Sequence, residues 1–138
     1  MADYYTKFSV IMHLPNEAAQ KYALDLADKA GRFQQEDERP DDFPASLIDV
    51  IEMWNFETMA HNSDGKWGIW LNAENGGVDA ACSFIQHLLQ ELDPSGRVCL
   101  EWSNDCSKPR VGAYGGGAAI ITAKNIKSMS TAEWIRSN

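Results

Sequence analysis

The fold is decided by Val78-Asp79-Ala80-Ala81-Cys82-Ser83-Phe84-Ile85-Gln86-His87-Leu88-Leu89-Gln90-Glu91-Leu92 and the segment behind it, Asp93-Pro94-Ser95-Gly96-Arg97-Val98-Cys99-Leu100-Glu101-Trp102. In the first, Val78, Ala81, Cys82, Ile85, Leu88, Leu89 and Leu92 recur at helical spacing and make one apolar stripe. Pro94-Ser95-Gly96 ends the helix. In the second, Val98, Leu100 and Trp102 alternate with Cys99 and Glu101, the period-two signature of a strand over residues 97–103. A helix feeding directly into a strand already excludes all-α and all-β architectures.

The same alternation of periods opens the chain. Phe8, Val10, Met12 and Leu14 alternate over residues 5–14, with apolar character on both faces, so this strand is expected inside a sheet. Asn16 is a favourable N-cap, and Ala19, Tyr22, Ala23, Leu26, Ala27 and Ala30 form the stripe of a helix over 17–30, with Gly31 suited to its C-terminal cap. Leu47, Val50, Ile51 and Trp54 predict a short helix over 46–53. Asp64-Gly65 lies between two strand-like runs, 56–61 and 67–73, and reads as a hairpin turn. Ala118–Ala123 reads as a strand. Ser130-Thr131-Ala132-Glu133 is a capping box ahead of a short helix over 131–136. The expected fold class is α+β. A mostly antiparallel sheet carries two main helices on one face, as a ferredoxin-like βαββαβ core with extensions. The 138 residues suit a single domain.

Charge divides the chain more sharply than hydropathy does. Twelve Lys and Arg face twenty Asp and Glu, a net charge of −8. Residues 36–64 hold nine of the acids (Glu36, Asp37, Glu38, Asp41, Asp42, Asp49, Glu52, Glu57 and Asp64) and one base, Arg39. Residues 106–138 hold one acid and five bases. Such an acidic chain repels phosphates, so direct nucleic-acid binding is not expected. A basic protein partner is.

Three cysteines, Cys82, Cys99 and Cys106, make an odd set without regular spacing, unlike a disulfide scaffold. The start of the chain lacks the basic and apolar regions of a signal peptide, so a cytoplasmic location with reduced thiols is expected. No apolar run is long enough to span a bilayer. No Cys-x-x-Cys pair exists and the three histidines are scattered, so neither metal nor cofactor is expected.

Two segments invite a functional reading. The first is the acidic loop or lid over 34–46. Its carboxylates Glu36, Asp37, Glu38, Asp41 and Asp42 would dock on a basic surface, with Trp67 as the aromatic anchor if it lies on the outer sheet face with Ile69. His87 is expected to face solvent. Most of the five tryptophans, Trp54, Trp67, Trp70, Trp102 and Trp134, are expected in the core. This reading is a small acidic inhibitor of a basic, nucleic-acid-handling protein. Its two settings are an anti-CRISPR or other anti-defence protein carried by a phage or mobile element, and an immunity protein that neutralises a nuclease toxin. Catalytic residues are not assigned.

The second segment is the glycine-rich loop over 103–117. Lys108 and Arg110 would hold an anionic ligand such as a nucleotide, and Tyr114 would stack or donate a hydrogen bond. Asp105 or Cys106 would supply chemistry, and Gly115 and Gly116 would let backbone amides approach. The glycines are followed by a strand and the bases precede them, which fits neither a Walker loop nor a dinucleotide fingerprint. A tight hairpin explains the same residues. A third reading, compatible with both, is a homodimer covering the outer sheet face.

Overall fold

The computed structural model describes residues 2–138. Six strands form one antiparallel sheet in the order β2-β3-β1-β4-β5-β6. They are β1 (Tyr4–Leu14), β2 (Glu57–Ser63), β3 (Lys66–Ala73), β4 (Arg97–Cys106), β5 (Gly115–Thr122) and β6 (Ile126–Ser130). Helix α1 (Glu17–Glu36) joins β1 to β2 through a 3-10 helix, Ala45–Met53, and α2 (Val78–Leu92) joins β3 to β4. A six-residue α3 (Thr131–Arg136) follows β6. The chain is thus α+β, with the expected β1-α1-β2-β3-α2-β4 order and two strands added beyond β4.

β1 is hydrogen-bonded on both sides, to β3 and β4, in keeping with its two apolar faces. Its even-numbered residues Phe8, Met12 and Leu14 are buried beside Ile69 and Leu71 of β3, and the same face continues through Leu100, Ala119 and Ile121. Ala23, Leu26 and Ala30 of α1, Phe84, Ile85, Leu88 and Leu89 of α2, and Leu47 and Ile51 of the 3-10 helix close over it. Trp54 packs its ring 5.0 Å from both Phe56 and Phe84, and so pins the 3-10 helix against α2. Each such fully buried side chain is worth about 1.5–3 kcal/mol.

Local signals act as the residue types require. The Asn16 carboxamide oxygen accepts from the Ala19 N–H at 2.8 Å, capping α1. Asp64 and Gly65 both take positive φ, 53° and 74°, the hairpin turn that matches strand twist. Ser130 Oγ accepts from the Glu133 N–H at 3.2 Å and starts α3. The buried Gln20 donates to Asn62 Oδ1 at 2.6 Å and to the Gly68 carbonyl at 2.7 Å, tying the start of α1 to the β2–β3 hairpin.

Several expectations are corrected. Seven of the fifteen residues of the glycine-rich segment are strand: β4 runs on to Cys106 and β5 begins at Gly115, so the loop shortens to residues 107–114. Gly117 lies beneath the Trp102 indole, where any β-carbon would strike the ring. A further strand, β6, follows β5 over Ile126–Ser130, where no strand is expected from the sequence. α1 continues to Glu36, so the acidic stretch starts as helix.

The two β3 tryptophans sit on the opposite faces from those expected. Register sets Trp67 across from Leu14, on the helix side with Ile69, and Trp70 across from Ile11, on the open side. The aliphatic Ile69 and Leu71 take the core, and the Trp70 indole N–H finds Ser9 Oγ at 2.8 Å instead. The open face therefore carries Trp70 and Ile11, not Trp67 and Ile69. Trp134 is no core residue either, being 60% exposed on α3. His87 is only 7% exposed, because α2 is buried on the flank facing α1 as well as underneath.

Candidate functional site

The acidic segment is held on a fixed backbone. The Asp37 N–H closes α1 on the Phe33 carbonyl at 2.9 Å, in left-handed geometry at φ 52°. Phe43, only 4% exposed, meets Phe33 edge-on at 5.3 Å between ring centres. The Gln34 amide reaches Asn55 Oδ1 at 2.9 Å and binds the end of α1 to the segment before β2. Between these anchors Glu36, Asp37, Glu38, Asp41 and Asp42 are all exposed. Among the described residues none of the five makes an ion pair. Lys29, Arg32 and Arg39 line the same shallow groove, but Arg32 pairs with Asp28 at 3.1 Å.

The wider charge pattern follows the layers. Residues 17–53 and 74–93, which contain both long helices and the 3-10 helix, hold fourteen acids against four bases. The rest of the chain, essentially the sheet, holds six acids against eight bases. The acidity first seen as a stretch of sequence therefore continues from the end of α1 over the 3-10 helix and on to α2, while residues 17–35 of α1 hold three acids and three bases. Asp49 and Glu52 on the 3-10 helix and Glu91 on α2 extend it beyond the residues singled out from sequence, and all three are exposed. Only the placement of α2 beside the 3-10 helix could reveal that.

Trp67 does not join this patch. It lies near the start of α1, where Gln20 grips the adjoining Gly68. Glu36–Asp42 lie at the far end, and a 20-residue helix spans about 30 Å. Of the exposed large apolar side chains on the helix side, Met53 ends the 3-10 helix, whereas Tyr22 lies near the start of α1, about 21 Å from Glu36 at helix rise. The Tyr22 hydroxyl meets His87 Nε2 at 2.8 Å between α1 and α2. Burial lowers the pKa of His87, with the nearby Glu91 carboxylate opposing, and burial together with Glu91 raises that of Tyr22. Burial thus favours the neutral form of His87 beside the Tyr22 hydroxyl.

The residues of the glycine-rich segment are mostly engaged in holding their own hairpin. Asp105 pairs with Lys7 at 3.2 Å across β1 and β4. The Tyr114 hydroxyl donates toward the Cys106 and Lys108 carbonyls at 3.3 and 3.1 Å. Lys108 and Arg110 are exposed on the loop, while Gly115 and Gly116 belong to β5. Cys106 faces Tyr4, nine residues along β1 from His13, a separation of about 30 Å at strand rise. His61 shares the His13 end of the sheet, since both flank Gly68. No imidazole therefore reaches this thiol. Cys82 is buried against the core and its pKa is pushed up to about 11 by burial and by Asp79.

One further groove, of about 640 Å³, opens on the helix side between the start of α2 and β6. Thr6, Asp79, Ser83, Trp102, Asn104 and Glu133 line it, with no basic side chain, so it does not suit an anion. Among the described residues no cluster of His, Cys, Asp and Glu has the geometry to hold a metal ion, and no helix is long and apolar enough to cross a membrane. No family model, curated protein or solved structure matches the chain.

Proposed function

We propose that this protein is a binding protein whose acidic helix layer docks on a basic, nucleic-acid-handling protein and blocks it. The observation that carries the reading is the division of charge between layers: fourteen acids to four bases on the helix side, against six to eight elsewhere. A charge-complementary surface accelerates encounter and selects partners of opposite sign. The Glu36–Asp42 carboxylates stand on a backbone anchored by Phe43 and Gln34, so little ordering is required on docking. A partner that binds nucleic acid presents the basic cleft such a surface would fill. An anti-defence inhibitor and a toxin-immunity protein are the two settings with that target.

The test is affinity capture from bacterial lysate at low and moderate salt, with the wild type and two variants. The first variant replaces Glu36, Asp37, Glu38, Asp41 and Asp42 by their amides. The second replaces Glu57 and Glu101, on the sheet, by glutamine. The reading expects one stoichiometric basic partner, weakened by salt, lost from the first variant and kept by the second. A partner indifferent to the first variant, or no basic partner at either salt, would overturn it.

A further inference from the structure

Among the described residues, nothing covers the side of the sheet opposite the helices. Across it, register lines up Met59 of β2, Trp70 of β3 and Ile11 of β1 in one row. The β1–β4 register, carried three residues beyond Phe8 and Trp102, adds Cys99, which faces Ile120 of β5. Met59 is 50% exposed, Ile11 41% and Ile120 37%, and Cys99 is exposed. This apolar belt crosses five strands. Two residues away along β4 stand Arg97 on one side of it and Glu101 on the other, and along β2 stand His61 and Glu57.

We propose that the open sheet face is the interface of a two-fold homodimer, its axis running along the Met59–Trp70–Ile11–Cys99–Ile120 belt. Two sheets stacked about that axis lay belt on belt. The same rotation exchanges the two sides of the belt on each strand. Arg97 then faces Glu101 of the second copy and Glu101 faces its Arg97, near the middle of the contact. On β2, His61 faces Glu57 in the same way. On β4 and β2 the face is self-complementary in charge, and it is apolar at its centre, as an isologous contact requires; Lys127 of β6, which continues the row beside Ile120, meets its own copy at the exposed rim. A basic or acidic foreign partner would meet one matched and one mismatched row.

Area and long-range charge agree. Six strands about 4.8 Å apart, with some six residues each in register, present about 550 Å² per copy, or ~1,100 Å² in total. That clears the ~1,000 Å² expected of a specific interface. Two chains of charge −8 repel as wholes, but face-to-face sheets put the two acidic helix layers at opposite poles. The contact uses the near-neutral side and leaves the helix layers free, so it stands independently of the partner proposed above.

The test is molar mass by light scattering and sedimentation across micromolar concentrations at low salt, with far-ultraviolet dichroism as the folding control. The wild type is expected to approach twice 15.4 kDa. Ile11→Lys, at a position already partly exposed, is expected to leave a folded monomer. Arg97→Glu and Glu101→Arg each create two like-charge contacts per dimer and are expected to weaken it about tenfold. The double swap, Arg97→Glu with Glu101→Arg, is expected to restore it. A short bismaleimide is expected to join copies through Cys99, and Cys99→Ser to prevent that. A wild type that stays monomeric throughout, or a dimer indifferent to Ile11→Lys and to both single reversals, overturns the proposal. So does a double swap no better than the singles.

Discussion

Replacing Gly117 by alanine tests whether the glycine-rich segment serves packing. Gly117 sits in β5 opposite Trp102, and a β-carbon there would run into the six-membered ring of the indole and come within 2.5 Å of the Met129 carbonyl oxygen. Neither neighbour yields easily: the indole is flanked by the core, and the carbonyl belongs to the β6 backbone. Overpacking of this kind costs about 1–3 kcal/mol. Unfolding entropy near 2.1 cal/mol/K per residue gives about 290 cal/mol/K for the 138 residues, so a ~2 kcal/mol loss lowers Tm by about 7 °C. Gly31 is the internal control. It lies inside α1, a β-carbon there meets nothing within 4 Å, and alanine is the better helix former by about 0.5–1 kcal/mol. Gly31→Ala is therefore expected to raise Tm by about 2–3 °C. Thermal unfolding followed by dichroism measures both. Equal midpoints for Gly117→Ala and the wild type would refute the packing account.

Other consequences are equally open to measurement. With folded protein diluted enough to be monomeric, a maleimide is expected to label Cys99 first and Cys82 only after denaturation, because Cys99 is exposed in the single chain whereas burial raises the Cys82 thiol pKa to about 11; mass spectrometry of labelled peptides gives the order. His87 is held below its ordinary pKa, so between that lowered value and about 6.5 the unfolded chain binds the extra proton. Stability is therefore expected to fall as pH drops through this window, and urea midpoints of His87→Gln are expected to show a shallower slope there. Tyr114→Phe removes the hydroxyl that clamps Cys106 and Lys108 carbonyls, and is expected to speed amide exchange over residues 107–114 while lowering Tm by no more than about 3 °C, as an exposed hydrogen bond worth ~1 kcal/mol implies.

How far the sequence could be read depended on whether a signal was local. The α2 stripe, the Asn16 cap, the Asp64-Gly65 turn and the Ser130–Glu133 box each involve residues close together in the chain, and each appears as written there. Gly115, Gly116 and Gly117 mislead because glycine marks either a flexible loop or a close approach, and the groups they approach lie elsewhere in the chain: Thr131 Oγ1 for Gly115, the Trp102 carbonyl for Gly116 and the Trp102 indole for Gly117. β6 is hard to read because Ile126-Lys127-Ser128-Met129-Ser130 alternates only weakly, with Ser128 and Ser130 following Ile126 on its helix side. Trp67 and Trp70 were correctly separated onto two faces, yet which face was the core depends on β1 register, set by Met12 and Leu14. The same kind of non-local information hid the site. The five carboxylates of Glu36–Asp42 were visible as a run, but the acidic layer they join is assembled by the 3-10 helix packing beside α2. His87 looked exposed for the same reason: its neighbour Tyr22 lies 65 residues away.

The most direct test of the acidic-layer account is amide hydrogen exchange of this protein alone and bound to its captured partner. The account predicts slower exchange over residues 32–53 and the exposed side of α2, with the loop at 107–114 unchanged. Protection confined to that loop or to the β2–β3 hairpin, with residues 32–53 exchanging as in the free protein, would contradict it.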